Sequence, residues 1–349
     1  EMDFKFLAGT EISSQAIGYG AVAVTLAALG FGFWAIILGT FAQTLIRAVL
    51  VFGRVPVWPT LSMTLSEITA MLRFGGGVFL AQLMSNTAQR VDNLVITAVM
   101  GPAALGYYSR AYRLMEISNS LIGSVFRETL FSGFSKKRRE GQRAEQDNTF
   151  LIGHAFATFL IVPIMALMWL LAKEIVLVLL GPNWEAAVPV LKILALGMFF
   201  RLGYKVSGTF ILSEGAVYRL ALRNLAYAIL VASGAWIGSR WGIAGVAWGI
   251  FCALAVHFLS MTNAALAHCG SSWHAYAKSV SHFLLAGVSA SVLAFGANVA
   301  MDTIMDTMSA ISSLTAAATF CATYFAALYC ARGQNTVRPV WVRVVKFAR

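Results

Sequence analysis

Charge is scarce in this chain. Only 12% of its 349 residues are Asp, Glu, Lys or Arg, about half the share of an ordinary soluble domain. Acids are scarcer than bases, 15 against 26, for a net charge of +11. Nothing among the four cysteines and five histidines resembles CxxC or a His/Cys metal spacing. Cys252, Cys269, Cys321 and Cys330 fall within or at the ends of apolar stretches and read as small packing residues. No Ser/His/Asp set, carboxylate pair on an exposed loop, or nucleotide-binding loop is present; GFGFWA and FGGGVF lack the strand and the Lys-Ser/Thr ending of a phosphate loop. No enzyme, metal or cofactor chemistry is therefore expected. The opening stretch does not read as a secretory leader. It opens EMDFKFLAGTEISS, without a basic segment, apolar core and cleavage site, and reads like the interior of a longer protein.

What remains is apolar. Hydrophobic residues make up 59% of the chain, in runs long enough to cross about 30 Å of hydrocarbon. The pattern predicts an all-α polytopic membrane protein rather than a β-barrel, which would show weak alternation in short segments. About ten spans are expected by the roughly 20-residue criterion: 12–29, 34–52, 74–100, 104–130, 149–171, 188–212, 220–239, 246–266, 279–300 and 311–331. A stretch before Phe74, 61–73, reads as an interfacial amphipathic helix.

The basic residues explain themselves by orientation. Arg54 and Arg73, the run SKKRREGQR, Arg219 and Arg223, Lys278, and the tail TVRPVWVRVVKFAR share one side. The opposite loops hold little beyond Lys173 and Arg240, beside Glu174, Glu185, Asp302 and Asp306. Cytoplasmic loops collect Lys and Arg, so the first set and the C-terminus are placed in the cytoplasm, and nucleic acid is not an expected partner.

Polar residues at bilayer depth are costly and so mark function or pairing. At about 100° per residue, Gln82, Asn86, Gln89, Arg90 and Asn93 share one stripe of the third span, with Ser85 and Asp92 on its edge. This stripe is expected to line a polar cavity. The fourth span carries Arg110, Tyr112, Arg113, Glu116, Asn119 and Ser120. Arg113 and Glu116, three residues apart, can meet on one face, and Glu116 reads either as a proton-titrating carboxylate or as half of a neutralised Arg–Glu structural pair between helices. The sixth span carries Arg201 and Lys205 one turn apart, a like-charged pair that makes sense around an anion, or around Glu116 or Asp92. Arg47 near the end of the second span reads as a snorkelling residue. His154, His257 and His282 read as helix–helix hydrogen-bonding residues. The hairpins LAALGFGFWAIILG and GSRWGIAGVAWGIF suggest a faint internal repeat. The organisation expected is 1–53, two helices of a first lobe; 54–73, a linker; 74–268, a six-helix lobe; 269–332, two added helices; 333–349, a basic tail.

The stretch QRVDNLVITAVMGPAALGYYSRAYRLMEI resembles bacterial polysaccharide transporters, the Wzx-type lipid-linked oligosaccharide flippases of the multidrug/oligosaccharidyl-lipid/polysaccharide exporter superfamily. AALGFGFWAIILG and GPNWEAAVPVLKILALG are similar to that family too. The resemblance implies a two-lobe fold, here with an incomplete first lobe. It implies export of an undecaprenyl-pyrophosphate-linked oligosaccharide across the bacterial inner membrane, with membrane lipids and the polysaccharide polymerase and chain-length machinery as partners. On this reading Arg90, Arg113, Arg201 and Lys205 attract the pyrophosphate. Asn86, Gln89, Asn93 and Asn119 bond sugar hydroxyls, and Asp92 and Glu116 balance charge or carry a coupling cation. Two alternatives stand beside it: a small-molecule exporter of the same superfamily, which would need an acid-dominated cavity, and a membrane polymerase or ligase, which would need a large outer loop.

Overall fold

Inside hydrocarbon every backbone amide must find its partner within the protein, which leaves helices or closed barrels. The computed structural model takes the first solution. It describes residues 4–54, 64–139, 143–304, 309–331 and 337, and among these none is in a strand. The proline-containing loop over 55–63, residues 140–142 of the basic run, 305–308 and the tail apart from Val337 lie outside the described residues. Among the described residues seven helical segments are long and apolar enough to cross a membrane. Two of them, Leu65–Ser120 and Val217–Cys269, run to 56 and 53 residues, each enough for two passes of about 20 residues.

The chain divides into two compact units, Glu1–Thr69 and Ala70–Arg349. The first holds α1 (Phe4–Ser14), a π-helical turn (Gln15–Val22), α2 (Ala23–Ala28) and α3 (Phe33–Arg54). Gly30 and Gly32, at φ 85° and 51°, make the turn between α2 and α3. Gly18 lies against the backbone of Gln43, and Gly39 against Ala23, so neither position has room for a side chain. Arg47 does not simply reach for the interface: its Nη1 pairs with Glu11 at 2.6 Å. At the end of this unit Thr64 and Glu67 form a capping box. The Thr64 N–H donates to Glu67 Oε2 at 2.9 Å and the Glu67 N–H to Thr64 Oγ1 at 3.4 Å. Two orphan donors are thereby satisfied, and the next helix, α4 (Leu65–Ala88), starts there.

The interfacial helix and third span expected on either side of Phe74 are thus one helix, and the single span expected over 74–100 is two. α4 stops at Ala88, and Gln89 and Arg90 form a turn before α5 (Val91–Arg139). The physical reason lies in side chains that compete for the backbone. Thr87 Oγ1 donates to Leu83 O, Gln89 Nε2 to Ser85 O, and Asp92 Oδ1 accepts from the Asn93 N–H. α5 is itself two helices joined at Gly101, whose φ of 83° sits just before Pro102, as the Gly-Pro pair predicts.

The rest of the second unit is α6 (Arg143–Leu170), α7 (Ala172–Leu179), a 3-10 turn (Pro182–Ala187), α8 (Val188–Ser213), α9 (Val217–Gly238), α10 (Gly242–Cys269), α11 (Trp273–Ile304) and α12 (Ser309–Cys330). α8 is the axis. It packs on α5, α6 and α10, and it is buried around its whole circumference, from Val190 to Ser213. α9 and α10 form a hairpin that uses glycine on both arms. Gly234 faces Gly249 and Gly238 faces Gly245, backbone against backbone, the close approach that small residues at four-residue spacing permit in membranes. α11 and α12 pair with each other and dock on α6, where Tyr324 OH donates to Phe159 O at 3.0 Å.

Candidate functional site

The second unit encloses a cavity of about 510 Å³ between α4, α5, α8, α9 and α10, within the range of small-ligand sites. Its α4 wall is the amide stripe: Gln82, Ser85, Asn86 and Gln89. Gln82 Nε2 donates to Asn86 Oδ1 at 3.0 Å, which aligns the two amides along the helix. Asn224 lines the opposite wall from α9, and its Nδ2 donates to Ala81 O at 2.8 Å, pinning α9 to α4. Ser120 of α5 and Tyr204, Lys205 and Thr209 of α8 complete the polar lining. Among the described residues no other Lys or Arg and no Asp or Glu contributes to the wall.

Beside the cavity lies a charged cluster. Arg201 is the largest fully buried side chain of the protein's described residues. Its Nη1 donates to Tyr112 OH at 2.7 Å, and its guanidinium lies 5.0 Å from the centre of the Tyr112 ring. The Glu116 carboxylate stands 3.6 Å from Arg201 Nη1 and 3.8 Å from Lys205 Nζ. At the start of α5, Asp92 is buried with its Oδ2 accepting from Tyr108 OH at 2.7 Å.

The sequence-derived candidates therefore separate. Asn86, Gln89 and Lys205 line the cavity. Of the two acids expected to meet Arg201 and Lys205, Glu116 is the one that does, in an inter-helix pair beside the cavity, while Arg113 is exposed. Arg90 is exposed and Asn93 half-buried, next to the break in the helix. Asn119 is fully buried, and neither atom of its amide has a hydrogen-bond partner among the described residues. Sequence reasoning missed Asn224 and Thr209. Thr209 Oγ1 donates back to Lys205 O at 2.8 Å like an ordinary helical threonine, and Asn224 follows an arginine on an otherwise apolar helix, so only the packing shows that either lines the cavity.

The histidines fall into two kinds. His154 Nε2 lies 3.1 Å from Ser207 Oγ and its Nδ1 3.3 Å from Tyr276 OH, and Ser207 continues to Thr262 at 3.1 Å. That string ties α6, α8, α10 and α11. His257 instead stacks on Tyr227 with ring centres 4.3 Å apart, and its Nε2 has no hydrogen-bond partner among the described residues. Among the described residues no group of His, Cys, Asp and Glu is placed to hold a metal ion.

Membrane-length helices packed around a polar cavity, with no strand among the described residues, define a polytopic helical membrane protein. Solved structures share the fold. The lipid II flippase MurJ in an inward closed conformation superposes with a TM-score of 0.60 at 13% identity, over 90% of this chain and 66% of that one. An outward-facing multidrug resistance MATE family transporter of the MOP superfamily gives 0.51 at 17% identity, over 80% of this chain and 68% of that one. By sequence, the chain belongs to the polysaccharide biosynthesis protein family, whose model matches residues 1–189. Among named relatives, the succinoglycan biosynthesis transport protein ExoT of Rhizobium meliloti is 30% identical over 56% of this chain and 39% of its own length. The lipopolysaccharide biosynthesis protein WzxC of Escherichia coli is 22% identical over 62% of this chain and 44% of its own. The matches thus span about half the length of these relatives, or less.

Proposed function

We propose that the chain is part of a flippase that moves a lipid-linked oligosaccharide across the bacterial inner membrane, for assembly of a surface polysaccharide. The observation that carries this reading is a single cation among the described residues, Lys205, reaching a cavity whose other polar groups are amides and hydroxyls. An ammonium binds a phosphate as a point charge. Amides and hydroxyls, which both donate and accept, match the hydroxyls of a sugar. The described lining carries no acid to attract a cationic drug. Names among the relatives, succinoglycan transport and lipopolysaccharide biosynthesis, support the same substrate class.

On this reading the pyrophosphate end sits at Lys205, and Asn86 and Gln89 face the sugars. Arg201 contributes charge from behind, held by Tyr112. Arg90, Arg113 and Asn93 belong to the path by which the head group enters or leaves. Asp92 and Asn119 support α5 from within. Residues 74–268 form the six-helix lobe that rocks against a partner lobe around this site. The basic loops and the tail face the cytoplasm, and the polymerase and chain-length machinery receive the product. No covalent bond changes; the work is binding, reorientation and release.

Complementation tests the proposal. The full-length protein is expressed in a strain lacking its native exporter, and polysaccharide at the surface is measured. Lys205→Ala and Asn86→Leu should each reduce export at least tenfold with normal protein levels in the membrane. Normal export from both variants would remove the cavity from the transport path.

A further inference from the structure

Resting on the reading of the cavity as a diphosphate site, we infer that Glu116 is a built-in competitor for the transported anion: it holds Lys205 while the cavity is empty, gives it up to the ligand phosphate, and takes it back to release the cargo. Three observations support this role. First, both ion pairs of Glu116 are loose. At 3.6 and 3.8 Å they lie outside the 2.7–2.9 Å typical of a charge-assisted hydrogen bond. Glu116 Oε2 is buried and has no hydrogen-bond partner among the described residues. The carboxylate is a counter-charge nearby, and a phosphate oxygen at hydrogen-bonding distance would outbid it for the same ammonium.

Second, the two cations differ in mobility. The Arg201 side chain is 2% exposed and fixed to Tyr112 by a hydrogen bond and a ring contact. The Lys205 side chain is 31% exposed, lines the cavity and sits on a flexible four-carbon stem. Of the two, Lys205 is the one that can change sides. Third, Arg201 keeps Glu116 partnered when Lys205 leaves, so exchange never strands a buried charge, a state that is strongly unfavourable. A carrier gains from such an arrangement. A cation that only attracts would hold its substrate on both sides of the membrane, whereas a neighbouring acid limits affinity and hastens departure.

The test measures farnesyl diphosphate binding to the full-length protein in nanodiscs, by calorimetry, for wild type, Glu116→Gln, Glu116→Asp, Lys205→Met and the double variant Glu116→Gln/Lys205→Met. Neutralising the competitor should tighten the dissociation constant about tenfold, the size expected from releasing one ammonium from a competing carboxylate. Glu116→Asp, its carboxylate drawn back by one methylene, should tighten it by a smaller factor and stands in should the Gln variant misfold. In the Lys205→Met background, Glu116→Gln should have little further effect, because the two act on one contact. Export in vivo should fall for Glu116→Gln despite the tighter binding. Unchanged or weaker binding by both Glu116 variants, with Lys205→Met still damaging, overturns the competitor and leaves the diphosphate site intact. No binding by wild type, or undiminished binding by Lys205→Met, overturns the diphosphate site itself.

Discussion

Replacing Gly234 with alanine should separate the α9–α10 hairpin. A Cβ at Gly234 would sit 2.7 Å from Gly249 O, against backbone that cannot turn aside as a side chain could. Ordinary contact is about 3.5 Å, so the helices must part by roughly 0.5–1 Å. A gap of that size forfeits about a quarter to a half of each atomic contact of ~0.15 kcal/mol. Over roughly 40 contacts along the seam the loss is about 2 kcal/mol, in line with the usual cost of overpacking. Steric trapping or reversible unfolding in mixed micelles reads this as a roughly 30-fold shift in the unfolding equilibrium, since 1.4 kcal/mol is a factor of about ten. Gly296→Ala in α11 is the control. Nothing lies within 4 Å of its Cβ, and alanine there should stabilise by about 0.5–1 kcal/mol through helix propensity. Equal stability of the two variants would refute the claim that backbone contact holds the hairpin.

Three further outcomes are expected from the charged cluster. Arg201→Met leaves Tyr112 OH without its donor and Glu116 with Lys205 alone, and should cost about 1–3 kcal/mol; the same unfolding assay should show part of that loss restored in Arg201→Met/Glu116→Leu. Tyr108→Phe removes the 2.7 Å hydrogen bond to buried Asp92 and should cost about 1–3 kcal/mol, with Asp92→Leu less harmful when added to Tyr108→Phe than when made alone. Asn119→Leu replaces a buried amide that finds no partner among the described residues; it should leave stability unchanged or raise it by about 1 kcal/mol, and a loss above that size would show that the amide is engaged.

Much of this was legible in the residues. Hydropathy located the helices because spanning segments need length and lack charge, properties written locally. The amide stripe of α4 was legible for the same reason: a 3.6-residue period puts Gln82, Asn86 and Gln89 on one face whatever surrounds them. The close pairing of α5 with α8 was only half legible. The one-turn spacing of Arg201 and Lys205 asked for an anion, or for Glu116 or Asp92, but two charges on one helix do not choose between them; packing brought Glu116 to α8 and left Asp92 with Tyr108. Nor could the period say that Arg201 turns inward to Tyr112 while Lys205 reaches the cavity, since four residues on a helix differ by only about 40°. The break at Gln89 and Arg90 was hidden because it arises from several weak side-chain bonds to the backbone, with no proline or glycine to announce it.

The string from Tyr276 through His154 and Ser207 to Thr262 has a mechanical meaning. Four helices share it, and sliding any one of them past the others would leave hydroxyls and an imidazole facing hydrocarbon with nothing to bond. α6, α8, α10 and α11 must therefore travel as a welded block. Any sliding among the helices of this unit is left to the parts outside the weld, and the turn at Gln89 and Arg90 between α4 and α5 is the natural place for the chain to bend.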